Sequence, residues 1–317
     1  MASRIKNKKN VNLDYEDRLI IYIDILGFTN FIDYTTQTKI NRSEKIIKIN
    51  NLLKLIKSYF EVKYKNLQVS KTRQYTSFSD LLVVSINLKE IKNIAFEIYE
   101  IYNLLKEANY NGFLLRGAII YGKIIHTKDV LFGPGIISAY NKERNIAKYP
   151  RIIIDNVIVS DLIELYEQEQ DYCYYDNIIS RDIDGLYYID LFKTLRDDVI
   201  DSFEYLSLLL SICDILLELI DNKPLEDKYI WLRNKYVTHI NNNTDIIAHS
   251  FSNIVNITKD DLSTLKIMLE EQKDELKYLL IKQIDSPIIL TNDESRVASF
   301  KILSEQLKSH LSHNNKF

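Results

Sequence analysis

The sequence predicts an α+β fold, in which helices cover one face of a mostly antiparallel sheet and a helical region follows. Three observations carry this. Up to about residue 195, short β-rich runs alternate with helical segments. Two of the strands meet at Ser79-Asp80, a tight hairpin rather than a crossover. From about residue 200 the chain reads as helix with few glycines.

The elements follow in order. "RLIIYIDI" (18 to 25) is a strand, and "SEKIIKINNLLKLIKSYFEV" (43 to 62) an amphipathic helix with Ile46, Ile49, Leu52, Leu53 and Ile56 at helical spacing. "RQYTSF" (73 to 78) and "LLVVSI" (81 to 86) form the hairpin, and "IKNIAFEIYEIYNLLKEA" is the second long helix. "FLLRGAIIYGKII" is a strand, and "GPGIISAYNKERNIAK" is a helix opened by Gly133, Pro134 and Gly135. "RIIID" and "GLYYIDLF" (185 to 192) are the last two strands. Four helices are expected beyond, in "YLSLLLSICDILLELI", "EDKYIWLRNKYVTHI", "DDLSTLKIMLEEQKDELKYLLIKQI" and "ESRVASFKILSEQLKSHL". The domain division is therefore 1–195 and 196–317. No repeat of fixed period or low-complexity linker interrupts it.

Composition limits the function classes. The 317 residues are 46 % apolar and 27 % charged, ordinary for a globular chain. A net charge of −3, from 41 basic and 44 acidic residues, supplies no positive field for wrapping nucleic acid. Cys173 and Cys213 are far apart and suggest neither a zinc site nor a disulfide framework. No signal-peptide core or bilayer-length apolar run is present. The expectation is a cytoplasmic protein with no nucleic-acid or membrane partner.

One strand raises a question of chemistry. "IYIDILGFTNF" is apolar and reads as buried, yet it delivers Asp24 at its end and then turns on Gly27. An ionised carboxylate in such a place costs several kcal/mol, on the order of what a cation or a hydrogen-bond set must offset. Asp80 lies at the hairpin tip, and if the strands are neighbours both acids project at one edge. Two adjacent carboxylates repel unless a divalent cation sits between them. Magnesium favours carboxylates together with phosphate oxygens, and "GFT" can offer backbone N–H groups to those phosphates.

Here the motifs become specific. "YIDILGFTNF", "FSDLLVVS", "LLRGAIIYGKI", "FGPGIISAYNKE" and "YPRIIID" resemble, in the same order, the motif segments of class III nucleotidyl cyclases. The resemblance spans roughly residues 18 to 192 and implies the family's ferredoxin-like antiparallel sheet. With "DILGF", "RGAI" and "YPRI", the chain most resembles the bacterial pyrimidine (uridylate or cytidylate) cyclases of Pycsar anti-phage systems.

The resemblance implies specific roles. Asp24, Asp80 and the carbonyl of Ile25 would hold two Mg²⁺ or Mn²⁺ ions per site. Gly27, Phe28 and Thr29 would bind the β- and γ-phosphates, with Arg151 and Arg181 also on the triphosphate. The family's purine-reading Lys or Glu falls at Thr76, beside Tyr75, and its second reader falls at Val130, next to Asp129. The purine set is missing, so the implied substrate is UTP or CTP, with Tyr75 or Thr76 on the base. The family's ribose- and phosphate-facing Asn and Arg fall at Ile137 and Asn141. Losing that Arg removes a partner for transition-state charge, so either another base such as Arg144 or Lys148 substitutes, or catalysis is slow, or there is none, with Asn141 and Arg144 the candidate ribose or transition-state contacts. The implied reaction is attack of the ribose 3′-hydroxyl on the α-phosphorus, giving cUMP or cCMP and pyrophosphate, in a homodimer with its sites at the interface. The implied role is a second messenger of antiviral defence, read by a downstream cyclic-nucleotide-binding effector. A non-catalytic nucleotide sensor and a purine cyclase are the alternatives.

Several residues also have plainer readings. Asp24 can cap a turn, and Asp80 can be an ordinary hairpin acid. Arg116 can simply pair with a carboxylate, and Tyr75 can be a sheet-face aromatic. Trp231 reads as a core anchor of the helical region, and residues 171–176 as edge-strand packing. The five histidines show no metal-ligand spacing.

Overall fold

The structure is a computed structural model that describes residues 14–37, 42–61, 72–169, 178–193, 202–219 and 223–243. Its strands are β1 (Glu16–Ile25), β2 (Gln74–Phe78), β3 (Leu81–Asn87), β4 (Leu115–His126), β5 (Leu131–Phe132), β6 (Ile152–Ile154), β7 (Ile179–Arg181) and β8 (Tyr187–Ile189). The helices are α1 (Phe28–Gln37), α2 (Arg42–Glu61), α3 (Ile94–Tyr110), α4 (Pro134–Asn145), α5 (Asn156–Glu169), α6 (Ser202–Leu219) and α7 (Glu226–Asn242). The strand order is β2-β3-β1-β4-β6-β8-β7, with β5 paired to β4. All these pairs are antiparallel except β4 with β6.

β1 is central because both its faces are apolar. Leu19, Ile21, Ile23 and Ile25 point into the larger core with Leu82, Val84 and Ile86 of β3, Leu52 and Ile56 of α2, and Ile98 and Ile101 of α3. Ile20 and Tyr22 point the other way, onto Val83, Ala118, Ile120, Ile124 and Ala139. A strand covered on both sides loses the period-two alternation, which is why "LIIYI" reads as a continuous apolar run. Each fully buried Ile or Leu contributes about 1.5–3 kcal/mol relative to exposure.

The two cores define two layers. Helices α2 and α3 cover one face, while α4 lies against β1 and β4 on the other. Glycines make that second contact close. A Cβ on Gly122 would meet the Cα of Gly135 at 2.7 Å, and one on Gly135 would meet the Ile20 side chain at 2.5 Å. With no side chain at either position, α4 rests directly on the sheet.

The hairpin, the glycine-opened helix and the strand "RIIID" lie where the sequence puts them, whereas the short β5 and β7 and the helix α5 have no counterpart in the sequence reading. Helix α6 packs on α3 and on α7. The expected boundary near residue 195, the last two expected helices and residues 171–176 all lie outside the described residues. Among the described residues, no helix is long and apolar enough to cross a membrane.

Candidate active site

Register brings the two aspartates together. Asp24 lies opposite Leu81 on β3 and opposite Arg116 on β4. Asp80 immediately precedes Leu81 in a turn where Ser79 takes a left-handed conformation, φ 57°. The Ile25 N–H donates to the Asp80 carbonyl at 3.2 Å, which ties the turn to the end of β1. The Asp80 carboxyl thus comes within hydrogen-bonding reach of Asp24.

A third acid and a single guanidinium complete the cluster. Arg116 Nη2 lies 3.3 Å from Asp24 Oδ2 and also pairs with Glu143 of α4. Glu143 follows Gly135 and Ala139 on the helix face turned to the sheet, and it is buried. Burial, with Glu143 and Asp80 beside it, pushes the Asp24 carboxyl up to about 7 despite the opposing Arg116. Burial also raises Glu143, with Arg116 acting against the shift. Arg116 pairs with two of the three carboxyl groups and Arg144 acts on Glu143 from the exposed side of α4, so full ionisation leaves the three carboxyls and Arg116 negative by two.

The turn after β1 supplies the opposite polarity. Gly27 has φ +77°, a conformation that strains any residue with a Cβ, and it sends the chain directly into α1. The first helical bond runs from the Phe31 N–H to the Gly27 carbonyl. The N–H groups of Phe28, Thr29 and Asn30 therefore belong to the unpaired first turn, at the positive end of the helix dipole. The Phe28 side chain is buried in the larger core and anchors this turn, while Thr29 is exposed.

The remaining predicted residues divide. Ile25 lies between Asp24 and the turn, with its side chain in the larger core. Tyr75 faces that core too and stacks on Phe60 at 5.9 Å, so its ring is a packing element in this protomer. Thr76 is on the other face, and its hydroxyl lies 3.0 Å from His126 Nε2. Asn141 and Arg144 lie on the exposed side of α4, with the Arg144 guanidinium bonded to the Tyr140 hydroxyl and over its ring. Ile137, one turn before Asn141, is 62 % exposed. Arg181 is exposed and donates through Nε to the Gly185 carbonyl at 3.1 Å.

Arg151 requires a correction. It is 1 % exposed, and its two terminal nitrogens are held by Asp182 and Asp184. Tyr149, Tyr188 and Trp231 surround its guanidinium. A guanidinium enclosed in this way anchors the fold and does not reach a triphosphate in this protomer. Trp231 of α7 packs against the second core, as a core anchor of the helical region should. It donates to Asp182 at 2.7 Å and stacks on Tyr149 at 5.6 Å, so it fastens α7 to the sheet region.

Sequence reasoning weighed Arg116 as a carboxylate partner or a sheet-edge cap, of which the structure shows the first, and overlooked Glu143 and His126. Glu143 carried a usable signal. An acid in phase with Gly135 and Ala139 on the buried stripe of a helix demands a cation. His126 carried no local signal, because its partners come from β2 and β3.

The donor set suits a hard divalent cation. A carboxyl pushed up to about 7 by burial and by its acidic neighbours gains from a cation that replaces the proton. No three His, Cys, Asp or Glu side chains form a ready metal cage among the described residues. A cation here would rest on Asp24 and Asp80 and complete its shell with phosphate oxygens and water, as Mg²⁺ commonly does.

Comparison with known proteins adds the following. No family model matches the chain. The phenylalanine–tRNA ligase beta subunit of Mycoplasma capricolum subsp. capricolum is 29 % identical over 176 residues, 51 % of this chain. The chain spans 20 % of the length of that curated relative, and such a match assigns no activity. Among solved structures, the chain is similar to the monomeric guanylyl cyclase domain of the RhoGC fusion protein from the aquatic fungus Blastocladiella emersonii. That alignment has 14 % identity and a TM-score of 0.36, covering 56 % of this chain and 95 % of the other. A bacterial light-regulated adenylyl cyclase aligns with 15 % identity and a TM-score of 0.36, covering 64 % of this chain and 99 % of that one.

Proposed function

We propose that the protein is a nucleotidyl cyclase that converts a pyrimidine nucleoside triphosphate, UTP or CTP, to its 3′,5′-cyclic monophosphate and pyrophosphate. The observation that carries this reading is the meeting of Asp24 and Asp80 beside the unpaired N-terminal turn of α1, in a cluster whose acids outnumber the cation paired with them. Asp24 and Asp80 would hold Mg²⁺ or Mn²⁺, which when bound lowers the barrier to deprotonating a ribose hydroxyl and neutralises the departing pyrophosphate. Gly27, Phe28 and Thr29 would orient the outer phosphates through backbone N–H groups. Arg116 holds Asp24 and Glu143 in place between turnovers. No protein nucleophile is required, since the attacking hydroxyl belongs to the substrate.

The base preference rests on the absence of a purine-reading Lys or Glu at Thr76. A homodimer with the site completed across its interface fits the exposed face of α4, where Ile137 and Asn141 have no partner surface among the described residues. The wider proposal is a cytoplasmic second-messenger enzyme of antiviral defence whose product is read by a separate effector.

A second reading has its own support. Ile137 and Asn141 occupy the positions where the resemblance expects Asn and Arg, and Arg144, the nearest substitute, is engaged by Tyr140. A protein lacking that transition-state partner would bind nucleotide and metal without turnover. Incubating the protein with ATP, GTP, CTP and UTP plus Mn²⁺, and identifying products by mass spectrometry, separates the two. The cyclase reading predicts a cyclic pyrimidine nucleotide, reduced at least ~10³-fold by Asp24→Ala or Asp80→Ala. Metal-dependent binding with no product from any nucleotide would leave the sensor.

A further inference from the structure

A buried polar chain crosses the α4 side of the sheet and ends at Thr76. Arg18, 3 % exposed, donates from Nε to Ser85 Oγ at 2.9 Å. Ser85 Oγ lies 2.8 Å from His126 Nδ1, and His126 Nε2 lies 3.0 Å from Thr76 Oγ1. Ser85 is fully buried and His126 is 5 % exposed, so water is not available to substitute for either of them, whereas Thr76 is half-buried.

The order of donors can be assigned from the fixed end. Arginine only donates, so Ser85 Oγ accepts from Arg18 and has its own hydrogen to place. Among the described contacts, His126 Nδ1 is the acceptor placed to take it, and we assign the ring tautomer on that basis. Burial and the Arg18 cation push the His126 ring down to about 4, so it is neutral at pH 7. A neutral ring that accepts at Nδ1 carries its proton on Nε2 and donates it to Thr76. Thr76 Oγ1 is then an acceptor on the protein side, and its one hydrogen is left for the outside.

The surroundings favour a ligand at that hydrogen. Thr76 lies on β2, the edge strand, in register with Val83 and on the same sheet face as Asp24. Phe78, two residues along the same face, is 78 % exposed and offers a ring for stacking.

We propose that the Arg18–Ser85–His126–Thr76 relay biases the Thr76 hydroxyl toward donating to the base, so that, with position 4 of the base at Thr76, the site favours the 4-carbonyl of uracil over the 4-amino group of cytosine. The inference rests on the nucleotide reading above and adds to it a choice between UTP and CTP. Thr76 is a specificity residue in this account, and His126 is a positioning residue acting through it.

The test is kcat/KM for UTP and CTP with Mn²⁺ in the wild type and in Thr76→Val, His126→Phe and His126→Gln, with Kd values for both nucleotides from titration calorimetry. The wild type should favour UTP roughly tenfold or more. Thr76→Val should lower kcat/KM for UTP by about tenfold and leave CTP nearly unchanged. His126→Phe should shift the UTP/CTP ratio in the same way. His126→Gln, whose amide both accepts and donates, should restore it. A wild type that favours CTP, or a ratio unmoved by Thr76→Val, overturns the relay while leaving the nucleotide reading intact. Should His126→Phe fail to fold, the isosteric Thr76→Val still decides. If the wild type binds but does not turn over, the Kd ratio replaces the kcat/KM ratio. Absence of both binding and turnover overturns the nucleotide reading and this inference with it.

Discussion

Two buried clusters of charge in this molecule follow opposite designs. Around Arg151, two cations, Arg151 and Lys235, meet two anions, Asp182 and Asp184. Asp182 has both oxygens occupied, by Arg151, Trp231, Lys235 at 2.9 Å and the Ile183 N–H at 2.9 Å. Hydrogen bonds from these neighbours hold both carboxyls below their ordinary range, against the burial that would raise them. Around Asp24, three carboxyls meet while Arg116 pairs with two of them, and Asp24 and Glu143 are pushed up. Compensated charge holds structure together, whereas uncompensated charge held in place by the fold asks for a ligand.

The contrast can be broken most severely at the compensated cluster. Arg151→Met should cost about 3–5 kcal/mol, since it leaves a nearly inaccessible Asp182 short of one of its two cationic partners. Urea unfolding measures this. Trp231→Phe should cost about 1.5–3 kcal/mol in the same assay, through loss of its hydrogen bond to a carboxylate.

At the uncompensated cluster the sign reverses. Asp24→Asn should abolish product formation yet stabilise the metal-free protein at pH 8 by about 1–2 kcal/mol. That is well below the full linkage value, because the Asp24 side chain is 25 % exposed and solvent screens the repulsion. The pH dependence gives the smallest and sharpest reading. With a folded value of about 7 against the ordinary 3.8, the Asp24 carboxyl favours the fold fully below pH 3.8, and its contribution is lost as pH rises through 7. Metal-free wild type should therefore lose about 1–2 kcal/mol relative to Asp24→Asn between pH 5 and pH 8, read by thermal unfolding at several pH values.

How much of this was legible in the sequence depended on whether the determinant was local. The Asp24 edge could be read because an acid inside an apolar strand is conspicuous in itself, and Ser79-Asp80 forms a hairpin by its own turn chemistry. Gly122 and Gly135 marked a strand and a helix start but not the close contact between them, which arises only once both are folded. Arg151 was misread because "YPRI" carries no sign that Asp182, some thirty residues later, and Trp231, on α7, will enclose it. The His126 relay was invisible for the same reason, since four elements contribute to it. Short strands such as β5 and β7 are held by neighbours rather than by their own propensity.

The most direct measurement is titration calorimetry of Mn²⁺ into wild type, Asp24→Asn and Asp80→Asn at pH 6.5, repeated in buffers of different ionisation enthalpy to count protons. If the Asp24–Asp80 edge is a cation site, the wild type binds with release of about one proton, and both variants lose the binding. Equal Mn²⁺ binding by all three proteins, or binding without proton release, would contradict the account.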